Sequence, residues 1–179
     1  MSEHLRPASL VAALAFAPVM AMAGTSGCQP LPLDFVLCAQ GTDWETAERE
    51  DLSDGVLFTS ARQWLEVFDM SELFPAGIPL DAILDQMEAE FAQEAKSHDV
   101  EAPLTLSRDR FSTDHLEIVS LTNRVALEPG EVESFVTMIA EAGGRRISIS
   151  IDPGEDVDPE LLFAATRAVA ELIRPASGG

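Results

Sequence analysis

Two cysteines stand early in the sequence, and their spacing decides which chemistry they support. Cys28 and Cys38 are the only cysteines, so one intramolecular pairing exists and a single disulfide is predicted. A redox pair would need Cys-x-x-Cys spacing and a following helix N-terminus, and the sequence has neither. We therefore expect a structural disulfide that stabilises the fold by about 2–3 kcal/mol.

An acidic stretch at 152–160 carries oxygen ligands around a Pro-Gly turn, an arrangement that can hold Ca²⁺. Its candidate metal ligands are Asp152, Glu155, Asp156 and Asp158. Their spacing does not follow the EF-hand rule. The alternative is a strand-to-helix connection in which Asp158 is the N-cap and Pro159 the first helical residue. We favour the connection, and we expect neither a metal nor another cofactor.

Arg145 and Arg146 follow Gly143-Gly144 and form the most compact cationic spot in the chain. They are the candidate ligand-binding residues, since two guanidinium groups can grip a carboxylate or a phosphate. The glycines lead into a strand pattern, which excludes a phosphate loop opening a helix. We favour a hairpin tip whose two arginines are solvated.

The sequence offers few histidines and no recognisable nucleophile motif for catalysis. After residue 23 the histidines are His98 and His115, they form no metal-ligand pair, and there is no Gly-x-Ser-x-Gly elbow. His98 falls at a predicted helix end and His115 at a predicted strand start. We therefore name no catalytic residue and expect the protein not to be an enzyme.

The charge balance restricts the partners. The chain has 31 Asp and Glu against 11 Lys and Arg, a formal net charge of −20. Such a surface repels phosphate, so nucleic acid is not an expected partner. The hydrophobic content of 46% excludes a disordered acidic tail. The acidity suits docking onto a basic protein, and it equally suits a source organism with an acidic, salt-adapted proteome.

The N-terminus is typical of a secretory signal. Arg6 precedes an apolar run over 10–20, and Ala21-Met22-Ala23 fits the small-x-small rule for cleavage. An N-terminal membrane anchor and a lipoprotein modified at Cys28 are the alternatives. We favour cleavage near Ala23 and location in the periplasm or outside the cell. No later apolar run is long enough to predict a membrane span.

The remaining pattern predicts an α+β fold, a mostly antiparallel sheet packed with two main helices. Apolar residues at three- and four-residue steps predict helices over about 79–97 and from 159 to about 174. Strands are expected at 56–59, 64–68, 104–107, 116–121, 134–139 and 147–151, and Gly143-Gly144 is the turn of a hairpin. The expected organisation is a signal peptide (1–23), a disulfide-stapled extension (24–54), one α+β domain (55–175) and a frayed tail (176–179). Within the extension, 42–54 is expected to form a short helix or a turn.

Residues 50–175 resemble the PsbP-like α/β sandwich, the superfamily of an extrinsic photosystem II protein and of DcrB-type exported proteins. The resemblance rests on four segments: WLEVF (64–68), PLDAILDQMEAEF (79–91), FVTMIAEAGGRRISISI (135–151) and DPELLFAATRAVAELI (158–173). It implies a small non-enzymatic accessory or binding protein and carries no site residues with it.

These observations lead to one expected function and two alternatives. We expect an exported, non-enzymatic accessory or protein-binding protein of the bacterial periplasm, whose partner is a periplasmic or membrane-associated protein. The first alternative is a binder of small ligands or divalent cations that uses the sheet face or the 152–160 loop. The second is an enzyme without a recognisable motif.

Overall fold

The computed structural model describes residues 27–98, 100–126, 132–153 and 157–176. The predicted signal peptide and its cleavage site lie outside these residues. In the described part of the chain, an N-terminal hairpin and a charged edge strand come first, and long antiparallel strands and two helices follow. The strands are β1 (Gln29–Pro30), β2 (Phe35–Leu37), β3 (Glu48–Asp51), β4 (Gly55–Thr59), β5 (Trp64–Asp69), β6 (Leu104–Ser112), β7 (Glu117–Ala126), β8 (Val132–Ala142), β9 (Arg145–Asp152) and β10 (Ile173–Pro175), and the helices are α1 (Leu80–Ser97) and α2 (Pro159–Ala170).

Seven strands form one antiparallel sheet in the order β3-β4-β5-β9-β8-β7-β6. The β8–β9 hairpin turns at Gly143 and Gly144, whose φ angles of 58° and 75° are those that favour glycine. The predicted α+β class is confirmed, and so are the two helices and the hairpin. Strands β6, β7 and β8 run several residues beyond the predicted segments.

The two faces of this sheet are covered differently. Strand residues alternate between the faces, so Ile118 packs in the cluster under α2 while Val119 and Leu121 pack in the cluster under α1. Helix α1 presents Ile83 and Leu84, among other apolar residues, to the sheet. The apolar stripe that predicted the helix is therefore the stripe that it buries.

The segment before β4, which the sequence analysis describes as a disulfide-stapled extension, contributes side chains to the core. Phe35, Leu37 and Trp44 are buried in the same cluster as the strands under α2. The 42–54 segment forms a turn followed by strand β3, an edge strand paired with β4. Its residues Glu48–Asp51 are all charged, so no apolar alternation marks it as a strand, and charge on an edge discourages further pairing.

The end of the second helix was predicted wrongly. Helix α2 ends at Ala170, and Ile173–Pro175 form strand β10, which pairs antiparallel with β2. Ile173 is fully buried there, and the Ala176 amide donates to the Asp34 carbonyl at 2.7 Å. Leu172 and Ile173 continue the helical apolar spacing, but a strand partner 136 residues earlier, at Leu37, takes Ile173 into a sheet.

Candidate functional site

The predicted disulfide is present, and it closes the N-terminal hairpin next to the C-terminal strand. Cys28 and Cys38 are bonded and flank the β1–β2 pair. The Cys38 amide donates to the Leu172 carbonyl at 2.9 Å, just before β10 begins. The bond therefore lies where the N-terminal hairpin meets the C-terminal strand.

Arg146 is buried, which corrects the prediction of a solvated hairpin tip. It is only 3% exposed. Its Nη1 donates to the carbonyls of Phe74 and Pro75 at 3.1 and 2.9 Å, and its Nη2 to the Ile78 carbonyl at 2.6 Å. Its Nε donates to Glu141 Oε2 at 2.5 Å. The guanidinium thus holds the 74–78 loop that leads into α1, and protein groups occupy it on several sides.

Arg145 lies on the opposite face, as the alternation of a strand requires. Its Nη1 donates to the Leu33 carbonyl at 3.0 Å, and its guanidinium lies 5.2 Å from the centre of the Phe35 ring. It is about one-third exposed and lies 3.9 Å from Asp34. The two arginines therefore do not converge on one ligand, and each fastens a different loop to the sheet.

The described part of the acidic stretch includes the predicted helix entry. Asp158 Oδ1 accepts hydrogen bonds from the amides of Glu160 and Leu161 at 2.9 and 3.4 Å, which confirms Asp158 as the N-cap of α2. Asp152 ends β9. Glu155 and Asp156 lie outside the described residues, and across the described ranges no three His, Cys, Asp or Glu side chains are grouped to hold a metal ion.

Most arginines of the described segments are engaged with groups of the same chain. Arg108 donates to Asp85 and Glu88 of α1 at 2.6 and 2.9 Å, and the hydrogen bond with Asp85 raises the pKa of the Arg108 guanidinium. Further intramolecular pairs are Arg49–Asp51, Arg110–Asp81, Arg146–Glu141 and Arg167–Glu171. Since the basic groups bind internal partners, the surplus acids define the charge of the surface.

An open apolar groove, which we name the α1 groove, lies where the end of α1 meets strands β7 and β8. It encloses about 340 Å³. Phe91 and Phe135 meet edge to face at its base, with ring centres 5.7 Å apart. Among the described residues, its other apolar lining residues are Ala95, Val100, Pro103 and Val125, and its polar lining residues are Glu94, His98 and Glu101.

The α1 groove is the feature that sequence reasoning missed. Val100 is 58% exposed and lies shortly after α1, which ends at Ser97. Phe91 belongs to the predicted apolar stripe of the helix, and the spacing alone does not reveal that it is only half-buried. The signal available in the sequence was an isolated valine between charged residues, which is common on protein surfaces.

His98 and His115 lie near the ends of elements, His98 after α1 and His115 between β6 and β7. His98 is the exposed C-cap of α1, with its amide donating to the Glu94 carbonyl at 3.1 Å. The His115 amide donates to Thr113 Oγ1 at 3.3 Å in the β6–β7 turn.

Comparison of the chain with protein-family models, with curated proteins and with solved structures finds no match. The resemblance to the PsbP-like sandwich therefore stays a prediction. In the residues that the structure describes, no helix is both long enough and apolar enough to cross a membrane.

Proposed function

We propose that this protein is an exported, non-enzymatic accessory protein that binds a periplasmic or membrane-associated protein through the α1 groove. The observation that carries the proposal is an exposed apolar recess whose described lining residues include two acidic side chains, Glu94 and Glu101. An apolar recess with a charged rim is the usual anatomy of a protein-docking site.

The chemistry of the partner follows from the charge. A net charge of −20 attracts cationic surfaces and repels anionic ones. Because several arginines pair with acidic groups of the same chain, few basic groups remain to reduce the negative potential of the surface. The expected occupant is therefore one apolar side chain, flanked by Lys or Arg, on an exposed segment of the partner. A recess of this size suits a single anchoring side chain, and such anchors supply most of the affinity of an interface.

The compartment is supported by the disulfide and by the sequence of the N-terminus. A bond between Cys28 and Cys38 persists in oxidising compartments and is rare in reducing ones. The apolar run and the Ala21-Met22-Ala23 motif favour export by signal cleavage. A partner reached in the periplasm agrees with both observations.

Site-specific photo-crosslinking tests this proposal. A photoreactive amino acid replaces Val100 in the α1 groove, and in a matched variant it replaces Leu73, which is 61% exposed and lies outside the groove. Irradiation of intact source cells should give a discrete adduct from position 100 and none from position 73. Mass spectrometry should place the crosslink in a basic segment that carries an apolar residue. No adduct from position 100, or the same adducts from both positions, would refute the proposal.

A further inference from the structure

A second cavity lies on the other face of the sheet, between the start of α2 and strands β6 and β7. It encloses about 450 Å³, within the range of small-molecule sites. Its lining residues include Ser107, Asp109, Thr122, Asp158, Glu160 and Phe163. We name it the α2 cavity.

The charged lining residues of the α2 cavity that the structure describes are all carboxylates. Asp109 is half-buried, and its Oδ2 accepts from Ser107 Oγ at 2.8 Å. Asp158 and Glu160 stand at the mouth, and Asp158 already satisfies the first amides of α2. A helix N-terminus ordinarily attracts anions, but here three acidic side chains surround it. The cavity therefore selects positive charge.

Thr122 supplies an independent indication of a ligand. It lines the cavity and is only 3% exposed, and its hydroxyl has no hydrogen-bond partner among the described residues. Buried hydroxyl groups are nearly always paired, because an unpaired one loses its water without compensation. A ligand with an N–H donor seated in the cavity would satisfy this oxygen.

The other lining groups favour an organic cation over a metal ion. Within the ranges that the structure describes, the carboxylates are not grouped for metal coordination. Phe163 contributes a half-buried aromatic ring, whose face or edge suits a carbon skeleton and whose π electrons attract an ammonium group. The volume also exceeds what a single ion needs.

We propose that the α2 cavity binds the primary ammonium group of a small organic molecule. The ammonium donates to the Asp109 carboxylate and to the Thr122 hydroxyl oxygen, and the carbon chain packs against Phe163. Asp158 and Glu160 add attraction at the entrance. This proposal is independent of the α1 groove, because the two sites lie on opposite faces of the sheet.

Calorimetric titration of the exported protein with cadaverine tests this, at about 150 mM NaCl so that surface attraction is screened beyond about 8 Å. Glutarate, of similar length and opposite charge, is the ligand control. We expect saturable binding of cadaverine at one site and none of glutarate. No saturable binding of cadaverine up to about 10 mM, which corresponds to a negligible affinity, would overturn the proposal.

Two variants separate the site from the general acidity of the protein. Asp109→Asn removes one charge from the cavity, and Glu50→Gln removes one from exposed strand β3 at the opposite edge of the sheet. We expect Asp109→Asn to weaken cadaverine binding about tenfold and Glu50→Gln less than about twofold. Equal effects would mean diffuse attraction by the surface and would refute the site.

Thr122→Val provides a second test that does not depend on charge. It replaces an unpaired buried hydroxyl by a methyl group of similar size, so the melting temperature should stay the same or rise. Cadaverine affinity should nevertheless fall about fivefold, because one acceptor is lost. A Thr122→Val protein that binds cadaverine as well as the parent would show that the hydroxyl does not face the ligand.

Discussion

At the scale of single residues, two arginines that are adjacent in sequence differ in burial and in the number of groups they bind. Arg146 is enclosed and serves three loop carbonyls and Glu141, whereas Arg145 is partly in water with one carbonyl and the Phe35 ring. The planar guanidinium of Arg146 donates from three nitrogens to four acceptors, an arrangement that the compact ammonium group of lysine, with three donors on one nitrogen, does not reproduce.

Arg146→Lys should therefore be strongly destabilising although it keeps the charge. We expect a loss of about 3 kcal/mol in the free energy of unfolding, because buried carbonyls and the Glu141 carboxylate lose their donors. Arg145→Lys should cost about 1 kcal/mol or less. Urea denaturation of both variants measures this. Equal losses of stability in the two variants would contradict the conclusion that Arg146 holds the 74–78 loop in place.

The disulfide gives a second prediction at this scale. Cys38→Ser should lower the free energy of unfolding by about 2–3 kcal/mol, because the unfolded chain regains the entropy of an open loop. Hydrogen exchange should also accelerate at the Ala176 amide, which donates to the Asp34 carbonyl at the end of the same small sheet. Unchanged stability, or free labelling of both cysteines without reductant, would contradict a structural bond.

At the scale of elements, the sequence predicts what its local period determines and fails where a distant partner decides. The start of α2 was predictable from Asp158 and Pro159, since capping depends on neighbours in the chain. Its end was not, because Ile173 joins a sheet with Leu37. Strand β3 was missed since its four charged residues carry no apolar alternation. The α1 groove was missed because exposure depends on tertiary packing.

Removing the cap of α2 tests the local part of this account. Asp158→Ala should lower the free energy of unfolding by about 1 kcal/mol, because two helix amides lose their acceptor. Asp158→Asn, which keeps the oxygen, should retain most of the stability. Thermal unfolding of the two variants decides, and a loss as large for Asn as for Ala would indicate that charge matters more than capping.

Helix α1 is held on the sheet by apolar packing and by ion pairs, and we expect the packing to contribute more to the free energy of unfolding. Ile83 is fully buried, so Ile83→Ala should cost about 2–5 kcal/mol by removing buried methyl groups. Arg108→Gln breaks its pairs with Asp85 and Glu88. The Arg108 side chain is 40% exposed, so we expect a loss of less than about 1 kcal/mol in the free energy of unfolding. Chemical denaturation in low and high salt should separate the two contributions, because salt screens ion pairs and not apolar packing. A larger loss of stability for Arg108→Gln than for Ile83→Ala would contradict the expectation that packing dominates.

At the scale of the whole molecule, charge and packing divide the chain into a shared interior and an acidic exterior. The N-terminal hairpin and the C-terminal strand close one small sheet, so both ends of the described chain take part in one core. The arginines bind α1, the loops and the hairpins, and the acids remain outside. In the function proposed above, a basic, apolar segment of the partner docks in the α1 groove of this acidic surface.

The most direct measurement is the affinity for peptides selected from a random display library, compared among the parent, Val100→Ser and Leu73→Ser. Both substitutions remove a similarly exposed apolar side chain and leave the net charge unchanged. We predict that the selected peptides combine Lys or Arg with an apolar anchor. We also predict that Val100→Ser weakens their binding about tenfold while Leu73→Ser leaves it within about twofold. Equal weakening by both variants, or selected peptides without basic residues, would contradict docking of a basic, apolar segment in the α1 groove.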